Sequence, residues 1–170
     1  RNTEQTLEDY FGRIEKKTAL FFAACCQGGA IAAGATREQS EALWHYGRNL
    51  GMAFQVVDDL LDLSAEEQVV GKPVGHDVQS GVLTLPILHL LRDERYGHRV
   101  GALIGKGDAI SHSDVQALIT WARETGAIQS TLETAKSFTE EAKASLAGLP
   151  KGPAWKLLEE VADRVLTRRY

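Results

Sequence analysis

The sequence has no run of about 18 apolar residues of the kind that spans a bilayer. Its closest approach, Ala19–Ala35, is broken by Gln27 and three glycines. A membrane-spanning helix is therefore not expected. The start lacks a signal-peptide pattern, and Arg1 is not an initiator methionine, so a fragment or a processed product is expected. Basic excess is missing too. With 19 Lys and Arg against 23 Asp and Glu, the net charge is -4, and no nucleic-acid footprint is indicated. Cysteine is confined to the adjacent pair Cys25 and Cys26. Neighbouring cysteines rarely bridge, and no CxxC or paired histidine accompanies them. They read as buried small hydrophobes in a reducing compartment, which points to the cytoplasm. Clean period-two alternation, internal repeats and low-complexity tracts are likewise absent, so strands and arrays are not expected.

What is present is helical periodicity over 170 residues, 44% of them hydrophobic, enough for one domain with a real core. The first helix opens near Thr6 and runs through Tyr10, Ile14 and Thr18. It continues into Ala19–Cys26, apolar all round, the pattern of a buried central helix. Thr36 caps a second helix, Glu38 to Leu63. Ser64 to Leu83 reads as a loop, with glycines and Pro73 at turn spacing. Thr84 caps a third helix with Pro86 in its first turn. Further helices follow from Ser111 to before Gly126, from Ala127 to Leu146, and from Ala154 to about Arg168. The last is expected to bury Leu157, Leu158, Val161, Val165 and Leu166. Its basic end suits a helix C-terminus, and a phosphate-facing tail is the sharper alternative.

The second helix carries the informative stretch, Gly51 to Leu63. Three carboxylates, Asp58, Asp59 and Asp62, stand among Val56, Val57, Leu60, Leu61 and Leu63. On an α-helix, positions three, four and seven apart share a face, so Gln55, Asp58, Asp59 and Asp62 line one stripe. The plain reading is a solvated face. Such faces alternate with Lys or Arg, whereas these flanks are apolar. Burying an ionised carboxylate without a partner costs several kcal/mol. Three together call for a cation, and all-oxygen ligands suit Mg²⁺ or Mn²⁺ better than zinc. Two lysines bear on the same chemistry. Lys17 precedes the apolar run of the first helix, and Lys72 sits in the glycine-rich loop after the acidic helix. Each reads plainly as a solvated or snorkelling lysine. Together with a carboxylate-held metal they make a set suited to a diphosphate.

These segments resemble the trans-isoprenyl (polyprenyl) diphosphate synthases. Phe54 to Asp62 matches that family's second aspartate-rich motif, FQxxDDxxD. Gly71-Lys72-Pro73-Val74-Gly75-His76-Asp77 with Thr84-Leu85-Pro86 is similar to its GKPxGxD…TLP segment, and Lys17-Thr18 to its KT motif. The resemblance covers essentially the whole chain, in family order. It implies an all-α fold, the isoprenoid synthase-type helical bundle, of which residues 1–170 form the C-terminal portion, and a homodimer for the full-length protein. It implies Asp58 as a Mg²⁺ ligand, with Asp59 and Asp62 as direct or water-mediated metal partners. Lys17 and Lys72 would hold the allylic diphosphate, Phe54 would face the isoprenoid chain, and Thr18 and Gln55 would lie near the allylic C1. The implied reaction condenses an allylic diphosphate with isopentenyl diphosphate.

Two departures stand out. The family's first aspartate-rich motif, its GKRLRP-like segment and its arginine pair have no match here, so two of three expected metal ions lose their main ligands and the chain alone is expected to be inactive. Val82 occupies a place where many relatives have lysine. A non-catalytic helical partner subunit of a heteromeric synthase is the alternative. A class I terpene cyclase is disfavoured, because its second metal motif is usually an Asn/Ser/Glu pattern.

Overall fold

The computed structural model describes residues 5–64 and 75–168. Secondary structure there is helical: α1 (Leu7–Ile14), a π-helical turn (Glu15–Ala19), α2 (Leu20–Ala32), α3 (Arg37–Ser64), α4 (His76–Gln79), α5 (Leu85–Leu91), α6 (Gly97–Gly105), a 3₁₀ turn (Gly107–Ala109), α7 (His112–Glu124), α8 (Ala127–Ser145) and α9 (Pro153–Leu166). This is the all-α architecture expected from the periodicity. The short α4 lies inside the stretch expected to be a loop.

Local chemistry sets the boundaries. Thr6 and Asp9 form a reciprocal cap before α1. The Asp9 amide donates to Thr6 Oγ1 at 3.0 Å, and the Thr6 amide to Asp9 Oδ2 at 2.9 Å. Thr36 and Gln39 do the same ahead of α3, at 3.3 and 3.0 Å. Ser111 and Asp114 form the capping box of α7. Gly34, at φ +73°, ends α2 in the left-handed conformation that side chains resist. Thr84 occupies the N-cap position of α5, but its side chain makes no capping bond. Its Oγ1 is buried without a hydrogen-bond partner among the described residues.

The described residues divide into two compact units: 5–10 with 58–64 and 75–132, and 11–57 with 133–168. In the first, α5 packs on α6 and α7. Leu85, Ile87, Leu88, Leu90, Val100, Ile104, Val115 and Leu118 are buried there.

In the second unit, α2 approaches α3 at two glycines. A Cβ on Gly47 would stand 2.6 Å from the Phe22 carbonyl oxygen, and one on Gly51 would stand 2.6 Å from Ala19 Cα. Only glycine allows that approach. The Tyr46 hydroxyl donates to the Leu158 carbonyl at 2.8 Å, Trp155 Nε1 donates to the Leu146 carbonyl at 2.9 Å, and Phe11 meets Phe138 edge-on.

Three packing expectations are corrected. α2 is not buried all round: Ala23 and Ala30 face inward, while Phe21 is 69% and Ile31 63% exposed. On α9, Ala162 and Val165 are buried, but Leu157 is 59% exposed and Val161 is also exposed. Cys25 is exposed and Cys26 half-buried, both as free thiols. A helix apolar on every side needs cover on every side, and here one side only is covered among the described residues.

Candidate functional site

In the second unit the KT pair lies within the π-helical turn, where the Leu20 amide reaches back five residues to the Glu15 carbonyl. Such turns widen a helix locally and recur at functional sites. Two side-chain bonds clamp this turn to α3. Arg48 Nε donates to Glu15 Oε1 at 2.6 Å, and Thr18 Oγ1 donates to Gln55 Oε1 at 2.8 Å. Arg48 and Gln55 are seven residues apart on one helical face, and Glu15 and Thr18 are three apart. Gln55 is buried, Thr18 half-buried and Lys17 exposed.

Phe54 is half-buried. Its ring lies 5.3 Å from that of Phe22, and the Arg168 guanidinium carbon sits 3.9 Å from its centroid. Arg168 thus covers an aromatic face, which the dipole reading of the basic C-terminus does not anticipate. The charge run at the chain end was the one signal pointing to it.

In the first unit the aspartates differ in environment. Asp59 is 5% exposed, and its Oδ2 accepts the hydroxyl of fully buried Tyr10 at 2.8 Å. Tyr10 read in the sequence only as a periodic core residue. Its one further signal is chemical, since a buried phenol seeks a polar partner. Asp62 is half-buried and accepts backbone amides from the end of the following segment. His76 N donates to Oδ1 and Asp77 N to Oδ2, each at 3.2 Å, while Gly75 N reaches the Asp62 carbonyl at 2.8 Å. Gly75 makes this return at φ +77°, where a Cβ would stand 2.4 Å from Val115 Cγ1. Burial first, and then the charge of Asp77, push the Asp62 carboxyl up to about 6 against those amides. Asp58 is half-buried. Lys72 and the rest of the Gly71–Val74 segment lie outside the described residues. Val82 is at the surface.

Among the described residues no three His, Cys, Asp or Glu side chains converge into a ready-made cage for a cation. The donor set still fits a hard ion. Mg²⁺ is normally held by one or two carboxylates and completes its shell with water and phosphate oxygens. Asp58 can supply a carboxylate ligand, with Asp59 and Asp62 anchored by other donors beside it on α3.

Comparison with known proteins follows the same lines. A family model described as Polyprenyl synthetase matches residues 1–121. The chain belongs to that family. Heptaprenyl diphosphate synthase component 2 of Geobacillus stearothermophilus is 37% identical over 167 residues, covering 98% of this chain and 51% of that protein. Geranylgeranyl diphosphate synthase of Methanosarcina mazei is 35% identical over 165 residues, 97% of this chain and 49% of that protein. The chain spans about half the length of the curated relatives it matches. A crystal structure of polyprenyl synthase from Caulobacter crescentus, complexed with calcium and isoprenyl diphosphate, superposes with a TM-score of 0.91 at 34% identity. It covers 99% of this chain, which spans 52% of that structure. No helix among the described residues is long and apolar enough to cross a membrane.

Proposed function

We propose that this chain is the metal- and diphosphate-binding C-terminal portion of a polyprenyl diphosphate synthase, a prenyltransferase of isoprenoid chain elongation. The observation carrying the reading is the aspartate set of α3, in the mostly apolar stretch Gly51–Leu63 of that helix, with Asp59 and Asp62 held by donors and Asp58 half-buried beside them. The named relatives, all prenyl diphosphate synthases, support it.

Asp58, supported by Asp59 and Asp62, would hold Mg²⁺ or Mn²⁺. The bound ion supplies charge neutralisation at the departing diphosphate. Lys17 and Lys72 neutralise further phosphate oxygens with their ammonium groups. Thr18 and Gln55, locked to each other, present oxygen dipoles toward the positive charge that grows at the allylic carbon. Phe54 offers an apolar surface to the isoprenoid chain. In the condensation, the allylic C1–O bond breaks with its electron pair leaving on diphosphate. The double bond of isopentenyl diphosphate supplies the pair for the new C–C bond. Loss of a proton then restores an alkene.

The sequence carries one aspartate-rich motif, so the isolated chain performs no condensation by itself. Its partner is a second synthase chain, which completes a homodimer in the full-length protein. We place it in the cytoplasm, since the free thiols Cys25 and Cys26 suit a reducing compartment. The relative named component 2 favours assembly with a different chain, and so keeps a non-catalytic partner subunit as the second reading.

Calorimetric titration of the chain with a non-hydrolysable allylic diphosphate, with and without Mg²⁺, tests the choice. The prenyltransferase reading expects binding that requires Mg²⁺ and is lost on Asp58→Ala. Binding indifferent to both would leave the partner-subunit reading.

A further inference from the structure

We infer that Arg48 is a positioning residue for diphosphate binding. It acts through Glu15, tying that carboxylate back to α3 and cancelling its charge inside the turn that carries Lys17 and Thr18. The inference rests on the diphosphate role proposed above for that turn.

Glu15 is the acidic residue of the π-helical turn EKKTA, two residues before Lys17 and three before Thr18. A loose carboxylate there would repel the polyanion that the turn is to hold, by the same Coulomb interaction that makes Lys17 useful. Arg48 removes the conflict. Its Nε donates to Glu15 Oε1 at 2.6 Å, with the two side chains 36% and 31% exposed. Its Nη1 also donates to Asn49 Oδ1 at 3.4 Å, a longer contact that keeps the guanidinium beside its own helix.

The turn is thereby sorted by charge. Glu15 and Thr18 are engaged with α3, whereas Lys16 and Lys17 are exposed. The cations are left for a ligand, and the anion is held back among donors. A half-exposed ion pair adds little to the stability of a fold. The larger consequence of this one is local, because it decides what charge an incoming diphosphate meets.

Titration calorimetry tests this on the unsubstituted chain, Arg48→Met, Glu15→Gln and the double variant. Each is titrated at saturating Mg²⁺ with a non-hydrolysable allylic diphosphate, at low and at high salt. Melting curves confirm that each variant is folded at the working temperature. Arg48→Met is expected to weaken binding about 3- to 10-fold at low salt, the effect of one like charge released near the ligand in a partly hydrated site. The loss should shrink at high salt. Glu15→Gln keeps an oxygen that accepts from Arg48, and should bind as tightly as the unsubstituted chain. With no carboxylate left to release, the double variant should do the same. A double variant as weak as Arg48→Met would overturn the inference, making Arg48 a direct ligand or a purely structural residue. Weakening by Glu15→Gln would overturn it as well, and that shape-conserving variant decides the matter alone if Arg48→Met does not fold. Absence of Mg²⁺-dependent binding in the unsubstituted chain would instead overturn the functional reading beneath it.

Discussion

The Thr18 hydroxyl donates to the Gln55 amide oxygen, 2.8 Å away, and so ties the π-helical turn to the acidic helix at a point where both residues leave the bulk solvent. Thr18→Val keeps the shape and β-branching and removes the donor. It should destabilise the chain by about 1 kcal/mol, the usual net worth of one such bond. Thr18→Ser, which retains the hydroxyl, should recover most of the loss. Urea unfolding of the three proteins, compared at constant m-value, measures it.

Close packing of α2 on α3 gives a second prediction. Gly51→Ala drives a methyl to 2.6 Å from Ala19 Cα, a backbone atom that cannot step aside by rotation. The helices must separate, at a cost of roughly 1–3 kcal/mol. Gly12→Ala, where an added Cβ meets nothing within 4 Å, should be neutral or slightly stabilising by comparison. Thermal melts of the pair give the contrast.

The outward apolar face of α2 gives a third. Phe21 is 69% exposed, whereas Ala23 is completely buried two residues later. Phe21→Gln should leave stability within about 0.5 kcal/mol, as surface substitutions do. Ala23→Gln should overpack the interface with α3 and unfold the chain at far lower denaturant. Equilibrium unfolding followed by circular dichroism separates the two.

Asp114 supplies a pH prediction. Its carboxyl is held down to about 2, first by the Lys106 ammonium at 2.8 Å and then by the amide and hydroxyl of Ser111. A carboxylate whose folded pKa is depressed stabilises the fold above its unfolded value, and that contribution fades as the pH falls through the folded one. Asp114→Asn should therefore lower the melting temperature at pH 7. The gap to the unsubstituted protein should narrow between about pH 4 and about pH 2.

The order and ends of the helices were legible in the sequence because caps act locally. Thr6, Thr36 and Ser111 each bond within three residues. The acidic stripe was legible for a similar reason, since helical spacing alone aligns Gln55, Asp58, Asp59 and Asp62. Contacts between distant residues were not. Nothing in a periodic Tyr10 announces Asp59, and nothing in Arg168 announces the Phe54 ring. Hydropathy also misjudged α2 and α9. It reports how apolar a face is, but not whether anything covers it, as exposed Phe21, Ile31 and Leu157 show. The π-helical turn escaped notice because Glu15–Ala19 has ordinary helix-forming residues, and only its clamps to Arg48 and Gln55 make the wider winding worthwhile.

That wider winding has a bearing on deletions. A turn closed from residue 20 back to residue 15 houses one more residue than an α-turn would, while the helices on either side keep their phase. Removing a single residue from this stretch should therefore leave α1 and α2 facing the way they do now. The shortened segment would then wind as an ordinary helix, and what it would lose is the bulge that presents Lys17 and Thr18. A single-residue deletion here should spare the scaffold and weaken the diphosphate binding proposed for Lys17 and Thr18.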